Sequence, residues 1–149
     1  QSFQWFSNIE TLTEMHCVLK PAGHLGLVWN QRDIQVDWVR ALADEIAPFE
    51  ADTPRYHSEK WKQVFENQEL FRFIGLDTFQ LLHRGTVEQV VSKRLLSTSF
   101  IAAMSAQQQE LKARFEQIVF DFTGLTAQDQ IDFPYTTFAY HFQKTSNSL

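Results

Sequence analysis

The feature that most constrains the fold is the short apolar run "HLGLVWN", residues 24–30, which directly follows "VLKPAG". Pro21 and Gly23 end the preceding helix, because proline lacks an amide hydrogen and glycine favours helix C-termini. A short, almost continuously apolar run is typical of a strand buried on both faces, as in a parallel sheet. Helix, tight loop and buried strand together predict the second half of a βαβ unit, and therefore an α/β fold.

Hydrophobic periodicity divides the rest of the chain into elements that fit the same fold class. It predicts helices over residues 8–19, 36–49, 58–65, 86–96 and 105–122, and strands within residues 71–86 and 132–144. Two of these helices begin with the spacing of a capping box, Ser7 with Glu10 and Thr86 with Gln89. No repeat or linker interrupts the pattern, so we expect one domain over residues 1–149, with residues 145–149 as a disordered tail.

Composition and charge exclude several classes of function. The net charge is -5 and the basic residues are scattered, so we expect no nucleic-acid partner. No apolar run approaches the roughly 18 residues that span a bilayer, so we expect no membrane association. The single Cys17 excludes an internal disulfide and suits a reducing compartment, which predicts a cytoplasmic protein.

The common catalytic and cofactor motifs are missing from the sequence. The five glycines never fall in a G-x-G-x-x-G or P-loop pattern, so the chain has no nucleotide cradle of its own. The five histidines lie in different predicted elements without metal-ligand spacing, and we expect no metal site. Cys17 has no nucleophile motif around it and reads as a packing residue. The residues themselves therefore identify no catalytic group.

One polar cluster remains, in "LVWNQRD" at the C-terminal end of the predicted strand. Asn30, Arg32 and Asp33 gather where ligands bind in open α/β sheets, in the crevice outside the carboxyl ends of the strands. The alternative is structural: Asp33 caps the next helix and Arg32 makes a surface ion pair. Position alone favours this structural alternative.

Three stretches together resemble one family: "QSFQWF" at residues 1–6, "LTEMHCVLKPAGHLGLVWNQRD" at residues 12–33 and "DWV" at residues 37–39. They are similar to the class I S-adenosylmethionine-dependent methyltransferases, in the small-molecule subgroup often labelled type 11. The chain departs from the family pattern at Gln4 in place of His, at Cys17 in place of Arg and at Ala22 in place of Gly. Residues 1–33 carry most of the resemblance.

The resemblance implies a partial Rossmann-like methyltransferase fold, built from the family's C-terminal strands in the order 5-7-6 with flanking helices. The family's Gly-rich loop and ribose-binding carboxylate have no counterpart here, so the isolated chain is expected to bind no cofactor. With the N-terminal half present, the cofactor is S-adenosylmethionine. The family's acceptor pocket maps onto these candidate residues: Phe3, Gln4, Trp5, Trp29, Asn30, Arg32 and Asp33.

Two functional hypotheses follow from the resemblance. In the first, the chain is a truncated methyltransferase-like protein that acts as a self-associating or small-ligand-binding module. It is then a homodimer that pairs through the Leu25–Trp29 edge strand and the aromatic N-terminal peptide. In the second, the chain is a fragment of a small-molecule methyltransferase whose N-terminal half is missing here or supplied by another polypeptide. A third hypothesis, an unrelated α+β ligand-binding protein, holds only if the match to the family motifs is accidental.

Overall fold

The computed structural model describes residues 2–146, which divide into two compact units. Among the described residues, the first unit contains residues 2–31, 54–79 and 137–146, and the second contains residues 32–53 and 80–136. In chain order the elements are α1 (Ile9–Val18), β1 (His24–Arg32), α2 (Asp37–Glu50), β2 (Phe71–Thr86), α3 (Lys93–Leu96), α4 (Ser99–Ala102), α5 (Gln108–Thr123) and β3 (Gln130–Lys144). Short 3-10 turns lie at Phe3–Trp5, Lys60–Phe65 and Ser105–Gln107, and a π turn lies at Glu88–Ser92. The single domain stays a prediction, since two compact units can belong to one domain.

The three strands form one sheet in the order β1-β3-β2. β1 and β3 are antiparallel, because Lys144 N donates to Gly23 O while Asp33 N donates to Pro134 O. The pairing of β2 with β3 is also antiparallel, as Thr145 N bonds to Leu70 O and Val87 N to Asp129 O. The fold is α/β with a three-stranded antiparallel sheet, which is compatible with the order 5-7-6 expected for part of a methyltransferase-like fold.

β1 is an edge strand, and the expectation that it is buried on both faces was wrong. Leu27 and Trp29 are buried, whereas Val28 between them is 48% exposed. This alternation arises because side chains along a strand point to opposite faces, and only the Leu27 face packs against a core among the described residues.

The first unit has an aromatic core between α1, β1 and the middle segment of the chain. Its buried members are Phe3, Leu12, Leu27, Trp29, Trp61, Phe71, Tyr140 and Phe142. α1 begins one residue later than the predicted capping box, because Asn8 Oδ1 accepts from Thr11 N at 2.8 Å. It ends at Val18, ahead of Pro21, as the sequence predicts.

The second unit packs the apolar faces of α2 and α5 on β3 and on the π turn. Its fully buried members include Val39, Leu42, Val87, Val91, Leu95, Ile101, Phe115, Val119 and Phe133. The predicted Thr86–Gln89 capping box is confirmed, since each residue's side chain accepts a hydrogen bond from the other's backbone amide. Gly124 ends α5 in the left-handed region at φ 72°, which explains why a glycine stands there.

Residues 145 and 146, at the C-terminal end of the described range, belong to the predicted disordered tail. Thr145 N donates to Leu70 O at 3.0 Å, and His16 Nε2 lies 3.1 Å from Thr145 O. The predicted disorder of residues 147–149 concerns residues outside those described. Across residues 2–146, no helix has both the length and the apolar character needed to cross a bilayer.

Candidate functional site

An open cleft of about 220 Å³ lies in the first unit, between the Phe3–Trp5 turn, α1 and β1. Its lining residues are Ser2, Phe3, Phe6, Met15 and residues 25–29. The side chains around the cleft are mostly apolar, and the backbone of the edge strand contributes polar groups along one side. A cleft of this volume has room only for a small molecule or for part of a larger one.

A side-chain hydrogen bond fastens the N-terminal turn to β1. The indole Nε1 of Trp29 donates to Oε1 of Gln4 at 2.9 Å. Trp29 is only 1% exposed and Phe3 is buried beside it, whereas Trp5 is 53% exposed. The structure thus brings Phe3, Gln4 and Trp29 together, and turns the Trp5 side chain towards solvent.

Trp29 is the centre of an aromatic cluster that no local sequence pattern predicts. Its ring centroid lies 4.4 Å from that of Trp61, 5.3 Å from that of Tyr56 and 5.9 Å from that of Tyr140. The hydroxyls of Tyr56 and Tyr140 are 2.8 Å apart and share a hydrogen bond. Burial, assisted by this bond, raises the pKa of the Tyr56 hydroxyl well above its usual value, so the Tyr56 hydroxyl stays neutral.

Lys62 places a positive charge beside the same cluster. Its Nζ lies 5.8 Å from the centroid of the Trp61 ring and 5.6 Å from that of Tyr140, within cation–π range. Nζ donates to Glu59 Oε1 at 2.5 Å, and this bond raises the pKa of Lys62 against the opposing effect of desolvation. The ammonium group is therefore held as a cation by a carboxylate and two aromatic faces.

The polar candidates from "LVWNQRD" have structural partners. Asn30 Oδ1 accepts from Thr137 Oγ1 at 2.7 Å within the first unit. Arg32 and Asp33 belong to the second unit, where Asp33 Oδ1 accepts from Gln35 N at 3.1 Å. α2 begins only after Val36, so Asp33 forms a local Asx turn rather than the cap of that helix.

The glycines do not fit a cofactor cradle. A Cβ at Gly23 would meet Lys20 O at 2.8 Å, and one at Gly85 would meet Val90 Cγ1 at 2.5 Å, so both serve local packing. Gly124 ends α5, while Gly26 and Gly75 lie in strands with nothing within 4 Å of an added Cβ. Among residues 2–146, the five glycines therefore lie in turns, packed sites and strands, and none of them forms part of a Gly-rich loop.

Comparison with known proteins shows that this chain is similar to proteins named as methyltransferases or as methyltransferase-like. No family model matches the chain. A protein of Schizosaccharomyces pombe named an uncharacterized methyltransferase-like protein is 32% identical over 145 residues, which are 97% of this chain and 56% of the relative. A second S. pombe protein, named an uncharacterized methyltransferase, is 30% identical over 145 residues and 57% of its own length. An uncharacterized methyltransferase of Mycobacterium tuberculosis is 30% identical over 87 residues, which are 50% of this chain and 36% of the relative. The chain thus spans little more than half the length of the S. pombe relatives.

Proposed function

This chain belongs to a methyltransferase-like family, and on that premise we propose that it forms the acceptor-binding part of an S-adenosylmethionine-dependent methyltransferase. In this proposal the chain alone does not bind the cofactor, since its glycines are committed to turns, packing and strands. The cofactor-binding part comes from a further portion of the fold, on the same polypeptide or on another.

The observation that carries the proposal is the Gln4–Trp29 hydrogen bond beside the cleft. It holds the N-terminal turn against β1, so that Phe3 and Phe6 face the backbone of the strand across the cleft. Aromatic side chains on one wall orient a small acceptor, and correct orientation alone lowers a bimolecular barrier substantially. The contribution of this chain to catalysis is then positioning, with no acid, base or nucleophile assigned to it.

Calorimetry tests the proposal directly. The 149-residue chain is titrated with S-adenosylmethionine and, separately, with S-adenosylhomocysteine. We expect no saturable binding up to about 1 mM, which corresponds to an affinity of only about −4 kcal/mol. The longer S. pombe relative that is 32% identical is the matched comparison, and we expect it to bind. Micromolar binding by the isolated chain would show that it holds the cofactor itself, and would overturn the proposal.

Sequencing the DNA upstream of the codon for Gln1 separates the two sources of the cofactor-binding part. An open frame that encodes a strand followed by a G-x-G loop supports a single polypeptide. A stop codon in every frame supports a second polypeptide or an isolated module.

Cytoplasmic location and the absence of a nucleic-acid partner are further proposals from composition. Cell fractionation tests the first, and a DNA-binding assay tests the second.

Self-association is the second candidate function, favoured by exposed apolar side chains near the cleft. The large exposed apolar side chains here are Trp5, Phe6, Ile9 and Val28. Exposed apolar groups on an edge strand favour pairing with another chain. We propose a homodimer through the Leu25–Trp29 strand and the N-terminal turn.

Sedimentation velocity at micromolar concentration tests the dimer. We expect a dimer for the wild type and a monomer for Val28→Lys, because a buried lysine at the pairing edge has no partner charge. Ile34→Lys is the control, since Ile34 is equally exposed but belongs to the second unit. A monomeric wild type, or equal dissociation by both variants, would contradict this interface.

A further inference from the structure

Two histidines far apart in sequence meet on one face of the sheet in the first unit. His24 lies at the start of β1, and His141 lies near the end of β3. Because Lys144 N bonds to Gly23 O, His24 stands opposite Gln143, and His141 is its diagonal neighbour. His24 Nδ1 and His141 Nε2 share a hydrogen bond at 2.7 Å, and the ring centroids are 4.7 Å apart with an interplanar angle of 39°.

A divalent metal ion that replaces the shared proton would be bound by the same two nitrogens, which already lie close enough to be ligands of one ion. With metal–nitrogen bonds of about 2.0 Å, nitrogens 2.7 Å apart subtend an angle of about 85° at the metal. Adjacent positions of a tetragonal Cu²⁺ or Ni²⁺ centre require about 90°, whereas a tetrahedral Zn²⁺ site needs nitrogens about 3.3 Å apart. Imidazole is a preferred ligand of all three ions, and Cu²⁺ binds most tightly in the usual order of affinities.

We propose that His24 and His141 form a two-histidine site for a divalent transition metal, with Cu²⁺ as the best-fitting ion. Both rings are reachable from solvent, and each is mounted on a hydrogen-bonded strand that fixes its position. This inference is independent of the methyltransferase proposal, because neither histidine lines the cleft.

The side chains around His24 and His141 determine how tightly a metal ion is expected to bind. Gln143, opposite His24, is engaged by Arg72, whose Nη2 donates to Gln143 Oε1 at 2.8 Å. Among residues 2–146, no group of three His, Cys, Asp or Glu side chains is placed to hold a metal. Water therefore completes the coordination, and the metal exchanges with solvent rather than being locked into the fold.

The test uses the full chain with CuCl2 and ZnCl2 as probes, in the wild type, His24→Asn, His141→Asn and the double variant. Calorimetry gives affinity, and electron paramagnetic resonance counts the nitrogens bound to Cu²⁺. His83→Asn is the control, because His83 is also an exposed strand histidine but lies in β2. Copper held elsewhere persists in the double variant and is subtracted.

We expect the wild type to bind one Cu²⁺ through two imidazole nitrogens, more tightly than Zn²⁺. Each single variant weakens binding at least about tenfold, the loss found even when an outer partner of a metal ligand is removed. The control leaves binding unchanged, and acid releases the metal because protons compete for the same nitrogens. Equal Cu²⁺ binding by wild type and double variant overturns the site, and tighter binding of Zn²⁺ overturns the geometric argument.

If a variant does not fold, as judged by circular dichroism, the wild type alone still decides the question. Substoichiometric Cu²⁺ broadens the nuclear magnetic resonance signals of nearby protons. The ring signals of His24 and His141 must then disappear before those of the other histidines. Simultaneous loss of all histidine signals would contradict the proposal.

Discussion

Replacing Gln4 by methionine tests the hydrogen bond that organises the cleft. Methionine has a similar length and fills similar space, but it lacks the amide oxygen that accepts from Trp29 Nε1. Trp29 is 1% exposed, so its N–H becomes a buried donor without this partner. An unsatisfied buried donor costs about 1–3 kcal/mol, whereas a satisfied one contributes only about 1 kcal/mol. For a chain of this size, each kcal/mol lowers Tm by roughly 2–4 °C.

Urea unfolding followed by tryptophan fluorescence measures this loss, with the slope of the transition checked for constancy. Gln4 makes interactions besides the one with Trp29, so the comparison is repeated in a Trp29→Phe background, which has no indole N–H. In that background Gln4→Met should lower the free energy of unfolding much less. The double-mutant cycle should therefore show a coupling free energy of roughly 0.5–3 kcal/mol between Gln4 and Trp29.

Gln35→Met is the matched control, because Gln35 is exposed and the same substitution there should change stability by at most about 0.5 kcal/mol. Gln4→His should retain most of the stability, since a ring nitrogen can accept the same bond. The reasoning is refuted if Gln4→Met and Gln35→Met are equally mild, or if the cycle shows no coupling. Water entering the open cleft would then be satisfying the indole.

Gly85→Ala should destabilise the chain by about 1–3 kcal/mol, because the added Cβ lies 2.5 Å from Val90 Cγ1 in a packed site. Gly75→Ala, with nothing within 4 Å of the added Cβ, should be nearly neutral in the same thermal melt, and Val90→Ala should relieve part of the Gly85→Ala loss. Stability should fall as pH rises above 10.0, the ordinary tyrosine pKa, because the raised pKa of Tyr56 keeps the folded state protonated where the unfolded state ionises. Tyr140→Phe should lower that pKa without restoring it to normal, since burial is the larger cause, and an ultraviolet absorbance titration distinguishes the two outcomes.

The helices and their ends were predictable from sequence because they depend on groups a few residues apart. The Thr86–Gln89 capping box, the glycine after α5 and the end of α1 before Pro21 each follow from local backbone chemistry. The α1 cap lies at Asn8 and not at Ser7, because Asn8 Oδ1 accepts from Thr11 N, one residue beyond the Glu10 amide that Ser7 would bind. The apolar face of α5 was likewise readable from its spacing.

The candidate site was only partly predictable. Phe3, Gln4 and Trp29 were identified through family resemblance, and the structure brings them together at the cleft. Tyr56, which joins the Trp29 cluster, had no local signal that linked it to β1. Tyr56 is an aromatic residue in a polar loop, which indicates that its ring packs against other residues. The loop sequence does not indicate which ring Tyr56 contacts.

The sequence by itself determined the order and type of most elements, the absence of a Gly-rich loop and the apolar character of the N-terminal peptide, because each depends on neighbours along the chain. Only the tertiary structure decided which face of β1 is buried, and it alone placed His24 beside His141 across 117 positions of sequence. The physical reason is that strand register, set by hydrogen bonds between distant segments, determines which side chains become neighbours, and no local pattern encodes that register.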